Sequence, residues 1–318
     1  MLNRRHLRIK ALQSLYAFIS SGDNNVEQGE KELLKSILAS KELIVWQLSI
    51  INELHFLDMK ILDEAKQKFL PTYEDLHPNM RFANNRLVNK LYDNRNLNNL
   101  IQTYHVSWIE NYEVIRRIYG DMKKSEAYLQ YLDSPDTFDN DKKFVISIFI
   151  NHIFPDETIM DLFETKSIFW HNDFLMTQYV LVKFLEEYSE DANESYMIPD
   201  MLKIGDNDTI EDDKTFVLEL FRKTLYGREH FFELIKSKLK NWDADRVSTI
   251  DIIIMEMALC EFTCFPTIPV KVTLNEYIEL SKTFSGQTSK LFINGILDNL
   301  VEHLKASGEI NKVGRGLM

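Results

Sequence analysis

The sequence predicts an all-α protein, and three observations lead to that fold class. Apolar residues recur every three or four positions along nearly the whole chain, which is the spacing of one helix face. Only 10 glycines and 7 prolines occur in 318 residues, too few for the many turns of a large antiparallel sheet. The composition, 45% hydrophobic and 27% charged, is globular, and the length favours two domains.

The first twenty residues predict an amphipathic helix with two distinct faces. On a helical wheel, one side collects the apolar residues that we expect to dock: Leu7, Ala11, Leu12, Leu15, Phe18 and Ile19. A second side carries Arg5, Ile9, Gln13 and Tyr16. Guanidinium, amide and phenol groups hold phosphates, contact base edges and stack on bases in single-stranded RNA. A solvated basic end on an acidic domain is the alternative interpretation.

The next hundred residues continue the helical pattern with one polar interruption. Apolar spacing over residues 30–69 predicts one long helix or a helical hairpin that ends at Pro71. An asparagine-rich polar stretch follows over residues 78–99, and helical spacing resumes over residues 100–130. This region therefore predicts helices on both sides of a polar break.

The middle of the chain predicts a loop, a helical segment and a linker. Residues 132–143, which contain Ser134-Pro135-Asp136, are expected to form the loop, and helical spacing returns over residues 144–187. Residues 189–214 are crowded with acidic side chains, which favours a solvated linker with at most one short helix. We take this linker as the main organisational boundary.

The last hundred residues predict a compact domain of five helices. Their helical stripes cover residues 215–226, 230–240, 246–262, 270–284 and 289–305. The tail after about residue 307 contains three glycines, so we expect it to be frayed and flexible.

A faint internal repeat links the two helical regions. A gapless shift of 72 residues aligns residues 144–173 with residues 216–245 and matches Trp170 with Trp242. Helical periodicity alone aligns two amphipathic segments at some shift, so duplication and coincidence both stay open.

The charge balance restricts any nucleic-acid site to one part of the surface. Lys and Arg number 37 against 49 Asp and Glu, a net charge of −12, which excludes non-specific coating of nucleic acid. The amino terminus departs from this balance, because Arg4, Arg5, Arg8 and Lys10 all precede the first acidic residue, Asp23. The sequence thus concentrates positive charge on the first predicted helix.

Motifs for enzymatic chemistry, metal binding and export are missing from the sequence. It contains neither a glycine-rich phosphate loop nor a nucleophile elbow, so we expect no enzymatic activity and no cofactor. Cys260 and Cys264 are too few for a disulfide framework and lack further zinc ligands, which favours two thiols near a helix end and a reducing compartment. Without an apolar run of membrane-spanning length or a cleavage signal, a cytoplasmic location is expected.

Two separate segments resemble one family of proteins. The carboxy-terminal segment reads Pro269-Val-Lys-Val-Thr-Leu-Asn-Glu-Tyr-Ile-Glu-Leu-Ser-Lys-Thr-Phe284 and then Ser289-Lys-Leu-Phe-Ile-Asn-Gly-Ile-Leu-Asp298. The amino-terminal segment reads Arg4-Arg5-His-Leu-Arg8-Ile-Lys-Ala-Leu-Gln13-Ser-Leu-Tyr16. They are similar to the signature and to the arginine-rich first helix of the NusB family of bacterial transcription antitermination factors.

The resemblance implies a domain organisation. It covers residues 215–304 and the first twenty residues, whereas residues 22–189 have no counterpart in the compact members of the family. We therefore expect a discontinuous NusB-like helical bundle domain over residues 1–21 and 190–318. An additional helical domain, residues 22–189, would be inserted after the first helix.

The resemblance also implies a set of RNA-contacting residues: Arg4, Arg5, His6, Arg8, Gln13, Tyr16, Lys282, Phe284, Lys290 and Phe292. His6 stands where the family more often has arginine, and Phe292 is equally compatible with a core position. Lys271 and Glu276 are candidates for an ion pair within the fold.

The resemblance implies binding partners as well. They are boxA-type single-stranded RNA, a small-subunit ribosomal protein and the transcription elongation complex on ribosomal RNA operons. Asp243, Asp245 and Asp251 are the candidate contacts for a basic ribosomal protein. Helix capping is the alternative for these three residues.

Two rival functions remain open at this point. One is a helical adaptor that has kept the fold and lost RNA binding. The other is the accessory domain of an RNA methyltransferase, against which the missing glycine-rich cofactor unit argues.

Overall fold

The computed structural model describes residues 4–202, 213–239 and 247–317. Most of these residues are helical, and none of them lies in a strand. The helices are α1 (Arg4–Ser21), α2 (Val26–Lys66), α3 (Tyr73–Leu76), α4 (Arg86–Tyr92), α5 (Arg95–Thr103), α6 (Tyr112–Lys124), α7 (Glu126–Asp133), α8 (Phe138–Ile148), α9 (Glu157–Lys166), α10 (Phe174–Glu187), α11 (Asp213–Lys238), α12 (Thr249–Cys264), α13 (Val270–Phe284) and α14 (Gln287–Ala306). A π-helix, Phe149–Ile153, follows α8. The predicted all-α fold class is confirmed. None of the described helices combines the length and apolar character that crossing a membrane demands.

The chain divides into two compact units. The terminal unit comprises Leu2–Ile37 and Leu202–Met318, and the internal unit comprises Leu38–Met201. The boundary at residues 37 and 38 falls within α2, which is a single helix of 41 residues. Of the two forms predicted for this region, the structure therefore has the long helix and not the hairpin.

The terminal unit is built around α12. This helix is apolar along nearly its whole length, and every residue from Asp251 to Phe262 is buried. A helix that is hydrophobic all round needs partners on every side. In the terminal unit those partners are α1, α11, α13 and α14.

The structure joins two predicted helices into one. Residues 215–226 and 230–240 were expected to form separate helices, but α11 runs unbroken from Asp213 to Lys238. Gly227 lies inside it, and the Phe231 ring covers the position where a Cβ at residue 227 would be, 2.4 Å away. This glycine makes room for an aromatic ring one turn later and does not end the helix.

The carboxy-terminal tail, for which the sequence predicts fraying, is packed against α12. The Lys312 ammonium group donates hydrogen bonds to the carbonyls of Glu261 (3.1 Å) and Phe265 (2.9 Å) at the end of α12. A 3₁₀ turn follows at Gly314–Leu317, where a Cβ on Gly316 would lie 2.0 Å from the Pro266 carbonyl oxygen. Lys312 thus satisfies carbonyls that a helix end leaves without partners.

The internal unit has an aromatic core. Trp46 packs edge-to-face on Trp108 with ring centroids 5.3 Å apart, and Phe163 contacts both tryptophans and Trp170. A second buried cluster surrounds the Asp141 carboxylate, which accepts hydrogen bonds from Arg86 and Tyr131. Aromatic packing and a satisfied buried charge give this unit its own core.

Two predicted irregular stretches of the internal unit are mostly helical. The asparagine-rich residues 78–99 contain α4 and most of α5, and Asn85 and Asn94 accept hydrogen bonds as their amino-terminal caps. The predicted loop at 132–143 shrinks to residues 134–137, because Thr137 caps α8. In both places polar residues start helices.

The two segments of the proposed repeat differ in local structure. Residues 144–173 contain the end of α8, the π-helix, a break and α9, whereas residues 216–238 are one continuous helix. Asp156 caps α9 directly after Pro155, and α11 has no proline. Trp242 lies outside the described residues.

Candidate nucleic-acid interface

Helix α1 docks through the apolar face that its sequence predicts. Leu7, Ala11, Leu12 and Leu15 are completely buried in the terminal unit. The first turn contains Arg4 and Arg5 and no acidic residue, although a helix amino terminus carries partial positive charge. Carboxylates from other helices must therefore compensate these arginines.

Arg8 is enclosed by a buried hydrogen-bond network. Arg8 is 2% exposed, and its guanidinium donates two hydrogen bonds, of 2.8 and 2.7 Å, to the Glu261 carboxylate on α12. Thr273 and Tyr277 on α13 donate to the same carboxylate, at 2.7 and 3.2 Å. Burial opposes the charge on Arg8, but the charge and hydrogen bonds of Glu261 outweigh it and raise the pKa of Arg8. Arg8 therefore fastens α1 to α12 and α13 and does not face solvent.

Arg5 lies one turn earlier and forms an accessible pair. Its side chain is 44% exposed, and its Nε and Nη2 atoms each donate a 2.9 Å hydrogen bond to the Glu276 carboxylate of α13. The hydrogen bond to Glu276 raises the pKa of Arg5. The expected Lys271–Glu276 pair is wrong, because Glu276 binds Arg5 instead.

Arg4 and His6 complete the amino-terminal turn. The Arg4 guanidinium lies 4.8 Å from the centroid of the Phe216 ring, a cation–π arrangement. His6 is half-buried, and burial, with the positive charges of Arg5 and Lys10, lowers its pKa to about 4. His6 is therefore neutral at pH 7 and adds no charge where the family more often has arginine.

Gln13 and Tyr16 lie farther along α1. Gln13 is half-buried, and Tyr16 is 44% exposed. They follow Arg5 by eight and eleven residues, so the predicted stripe runs along a helix for about 17 Å. The stripe reaches solvent most at its two ends, Arg5 and Tyr16.

The carboxy-terminal candidates lie around the turn between α13 and α14. Lys282 is exposed and donates a hydrogen bond to Glu279, while Phe284, Lys290 and Phe292 are half-buried. Phe284 is the last residue of α13, and Gly286 takes a φ of +100° that permits the sharp connection.

Glu279 connects the amino-terminal and carboxy-terminal candidates. The hydrogen bond from Lys282 lowers the pKa of Glu279, and the nearby charges of Arg5 and Lys290 act in the same direction. Arg5, Glu276, Glu279, Lys282 and Lys290 therefore form one charged cluster. Two segments separated by more than 250 residues meet in it.

Asp251 occupies an internal position. It is 5% exposed, and its carboxylate accepts a hydrogen bond from the Ser285 hydroxyl in the turn after Phe284. Its backbone N–H donates to the Ser248 hydroxyl at the start of α12. Asp251 thus ties the start of α12 to the turn between α13 and α14. Asp243 and Asp245 lie outside the described residues.

The sequence interpretation missed the carboxylates that hold α1. Glu261 is a charged residue in an otherwise apolar helix, and a buried carboxylate requires a cation or several hydrogen-bond donors. Arg8 precedes Ala11, Leu12 and Leu15 by three, four and seven residues, so it lies on the docking face. These two signals together would have paired Arg8 with Glu261.

The two cysteines lie at the end of α12, one turn apart, as predicted. Both are free thiols, and Cys260 is buried. A hydrogen bond from Cys260, with help from Thr263 and the charge of Lys223, lowers the pKa of Cys264 to about 6 against the opposing effect of burial.

Comparisons with known proteins agree with the resemblance. A family model described as the NusB family matches residues 176–302. Three similar curated proteins each bear the name transcription antitermination protein NusB. The one from Salinibacter ruber is 38% identical over 110 residues, 34% of this chain and 69% of the relative. That from Bacillus mycoides is 36% identical over 94 residues, 30% of this chain and 72% of the relative.

The third relative is matched over a smaller part of its length. It comes from Chloroherpeton thalassium and is 32% identical over 105 residues, 33% of this chain and 50% of the relative. In each comparison about two thirds of this chain stays unmatched. No solved structure matches the chain.

Proposed function

The chain belongs to the NusB family, and we propose that it is an RNA-binding transcription antitermination factor without enzymatic activity. The observation that carries this proposal is the charged cluster formed by the start of α1, the end of α13 and the start of α14. Basic side chains next to aromatic ones are the groups that grip single-stranded RNA. The name of the relatives, transcription antitermination protein, supports the same role.

The distribution of charge favours RNA binding by the terminal unit. Residues 38–201 contain 27 of the 49 acidic residues but only 16 of the 37 basic ones. The remaining residues are therefore nearly neutral, with 22 acids and 21 bases. A phosphate backbone that approaches the terminal unit meets little net repulsion from that unit itself.

Individual roles follow from exposure and chemistry. Arg4, Arg5, Lys282 and Lys290 are the proposed phosphate contacts, and Tyr16, Phe284 and Phe292 the proposed stacking residues. Gln13 offers an amide to base edges, and His6 offers a neutral imidazole. Arg8 and Asp251 act through the positions of α1 and of the turn after Phe284, because both side chains are buried.

The finer features of the proposal concern the RNA and the partners. We propose that the RNA is a boxA-type single strand, bound together with a small-subunit ribosomal protein in the cytoplasm. The complex would support transcription of ribosomal RNA operons. Asp243 and Asp245 stay the proposed contacts for the basic partner. The proposed RNA-binding domain is residues 1–21 with 190–318, and residues 22–189 form the extension.

An adaptor without RNA binding is the second candidate function. The observation in its favour is a set of exposed apolar residues in the internal unit, of which Phe69 is 97% exposed and Leu70 and Tyr73 are also open to solvent. Exposed apolar patches commonly mark protein-binding surfaces. A complete RNA methyltransferase would instead have to bind S-adenosylmethionine, which isothermal titration tests directly.

Titration with RNA separates these functions. A labelled boxA-type oligonucleotide and a scrambled one are titrated with the full chain, with and without the ribosomal protein, at two salt concentrations. We expect tighter binding of the boxA-type RNA and a log–log salt slope of about −0.7 per phosphate contact. Substitution of Arg5 by Ala should weaken binding and flatten this slope. If neither RNA binds under any of these conditions, the adaptor function is correct.

A further inference from the structure

The Arg5–Glu276 pair is the feature of the charged cluster that the proposed function leaves unexplained. The pair is bidentate, with both N–O distances at 2.9 Å, and Glu276 is 18% exposed. Phosphate oxygens use the same fork of guanidinium donors as a carboxylate does. An RNA phosphate that binds the Nε–Nη2 edge of Arg5 therefore has to displace Glu276.

Stability does not explain this pair, because α1 has a stronger attachment. Arg8, Glu261, Thr273 and Tyr277 already join α1 to α12 and α13 in a buried network. Exposed ion pairs contribute little to folding, whereas buried ones are costly to break. The Arg5–Glu276 pair can therefore open while α1 stays in place.

Glu276 is ionised at neutral pH. Partial burial opposes its charge, but the hydrogen bond from Arg5 and the charges of Arg8 and Arg5 outweigh burial and lower its pKa. The Arg8 Nη1 atom lies 3.8 Å from the Glu276 carboxylate, so Glu276 keeps one cation beside it when Arg5 moves away. A released Glu276 is thus not left without a positive neighbour.

We propose that Glu276 is a specificity-determining residue of the RNA site: its carboxylate occupies the Arg5 fork in the free protein and is exchanged for an RNA phosphate. This inference rests on the proposed function. Displacing the carboxylate reduces the affinity of the protein for a strand that binds through its phosphates alone. Such weakly docked strands fail to displace Glu276. Only RNA that also gains base and stacking contacts competes successfully.

The opposite role for Glu276 makes the opposite prediction. If Glu276 instead holds Arg5 in the orientation that binds phosphate through the remaining N–H groups, removing the carboxylate weakens binding. The sign of the change therefore separates exchange from orientation.

Fluorescence anisotropy of the full chain with labelled boxA-type and scrambled oligonucleotides tests the exchange. For Glu276→Gln we expect on the order of threefold to fivefold tighter binding at about 50 mM salt. The salt slope of the scrambled RNA should steepen by about 0.7, because that strand gains the Arg5 contact, and the scrambled RNA should gain more affinity than the boxA-type RNA. Glu276→Ala serves as a second variant, and thermal unfolding verifies that each variant is folded.

The matched control is Glu30→Gln. Glu30 forms the same kind of bidentate pair with Arg222 in the terminal unit, at 2.6 and 2.9 Å, and the substitution changes the net charge equally. We expect it to leave the affinity within about twofold of wild type. In an Arg5→Ala background the gain from Glu276→Gln should vanish, because the fork that the carboxylate blocks is gone.

Each result has a defined meaning. Weaker binding by Glu276→Gln, a change equal to that of Glu30→Gln, or a gain that persists without Arg5 would overturn the exchange. If neither wild type nor Glu276→Gln binds either RNA, the proposed function itself fails. If wild type binds and Glu276→Gln is unchanged, only the exchange fails.

Discussion

Arg5 and Arg8 show how two identical side chains, three residues apart on one helix, acquire different roles. Arg8 meets a carboxylate that also receives the Thr273 and Tyr277 hydroxyls inside the unit, whereas Arg5 meets a carboxylate at the surface. Lys10 is buried as well. The four cations before residue 11 therefore present only Arg4 and Arg5 to a polyanion, so a count of basic residues exaggerates the expected number of phosphate contacts.

Removal of Arg8 should destabilise the protein strongly. Arg8→Ala leaves the Glu261 charge buried without its cation, and breaking such a pair typically costs about 3–5 kcal/mol. Urea unfolding of the variant and of wild type measures this loss. Arg222→Ala, which removes the half-exposed Arg222–Glu30 pair, is the control and should cost much less. Equal losses for the two variants would show that Arg8 is not a structural anchor.

At the scale of the helices, α12 determines how the terminal unit is assembled. Its two buried carboxylates have different environments: Glu261 receives four hydrogen bonds, but neither oxygen of Glu256 has a hydrogen-bond partner within the described ranges. Arg228 on α11 places its Nε 3.4 Å from the Glu256 carboxylate. One helix thus carries a fully satisfied charge and a poorly satisfied one.

Glu256 should make stability depend on pH. Burial raises the pKa of its carboxyl from 4.5 to about 7, against the opposing charge of Arg228. Between these values the folded state binds more protons than the unfolded state, so Glu256 lowers stability as the pH rises. We expect Glu256→Gln to gain on the order of 2–3 kcal/mol over wild type at pH 8 relative to pH 4.5. Urea unfolding at several pH values measures this difference, and a constant offset would contradict the shifted pKa.

Helix periodicity predicted most elements because the buried apolar residues recur with the period of a helix. The predicted helix at 270–284 has the bounds that the structure gives α13, and the docking face of α1 was correctly identified. Local rules failed where distant partners decide. The carboxy-terminal tail packs on the terminal unit because Lys312 donates hydrogen bonds to carbonyls at the end of α12. Gly227 is a local exception, since it lies inside α11 and leaves room for the Phe231 ring one turn later. The charged cluster could be predicted as two segments, and the position of Arg8 on the docking face together with the lone Glu261 of an apolar helix indicated their pairing. The Arg5–Glu276 pair is a surface tertiary contact that spacing does not encode.

At the scale of the whole molecule, charge is distributed unevenly along the chain, and this distribution affects the approach of RNA. Residues 38–201 hold an excess of eleven acids, and the rest of the chain is almost neutral. A charged segment attached to an RNA-binding unit acts on RNA over roughly one Debye length, which is about 30 Å at 10 mM salt and about 8 Å at 150 mM. The internal unit should therefore slow RNA association at low salt without touching the RNA.

Neutralising acids in the extension tests this effect. Glu110, Glu113 and Asp161 are exposed residues of the internal unit, and the triple variant with Gln, Gln and Asn removes three negative charges. We expect the association rate with RNA, measured by stopped-flow fluorescence, to rise about twofold or more at 10 mM salt and to match wild type near 200 mM. The control exchanges the same residues for Asp, Asp and Glu, which keeps the charge. A rise that persists at high salt would indicate direct contact between the internal unit and RNA, because screening removes only the long-range part of the repulsion.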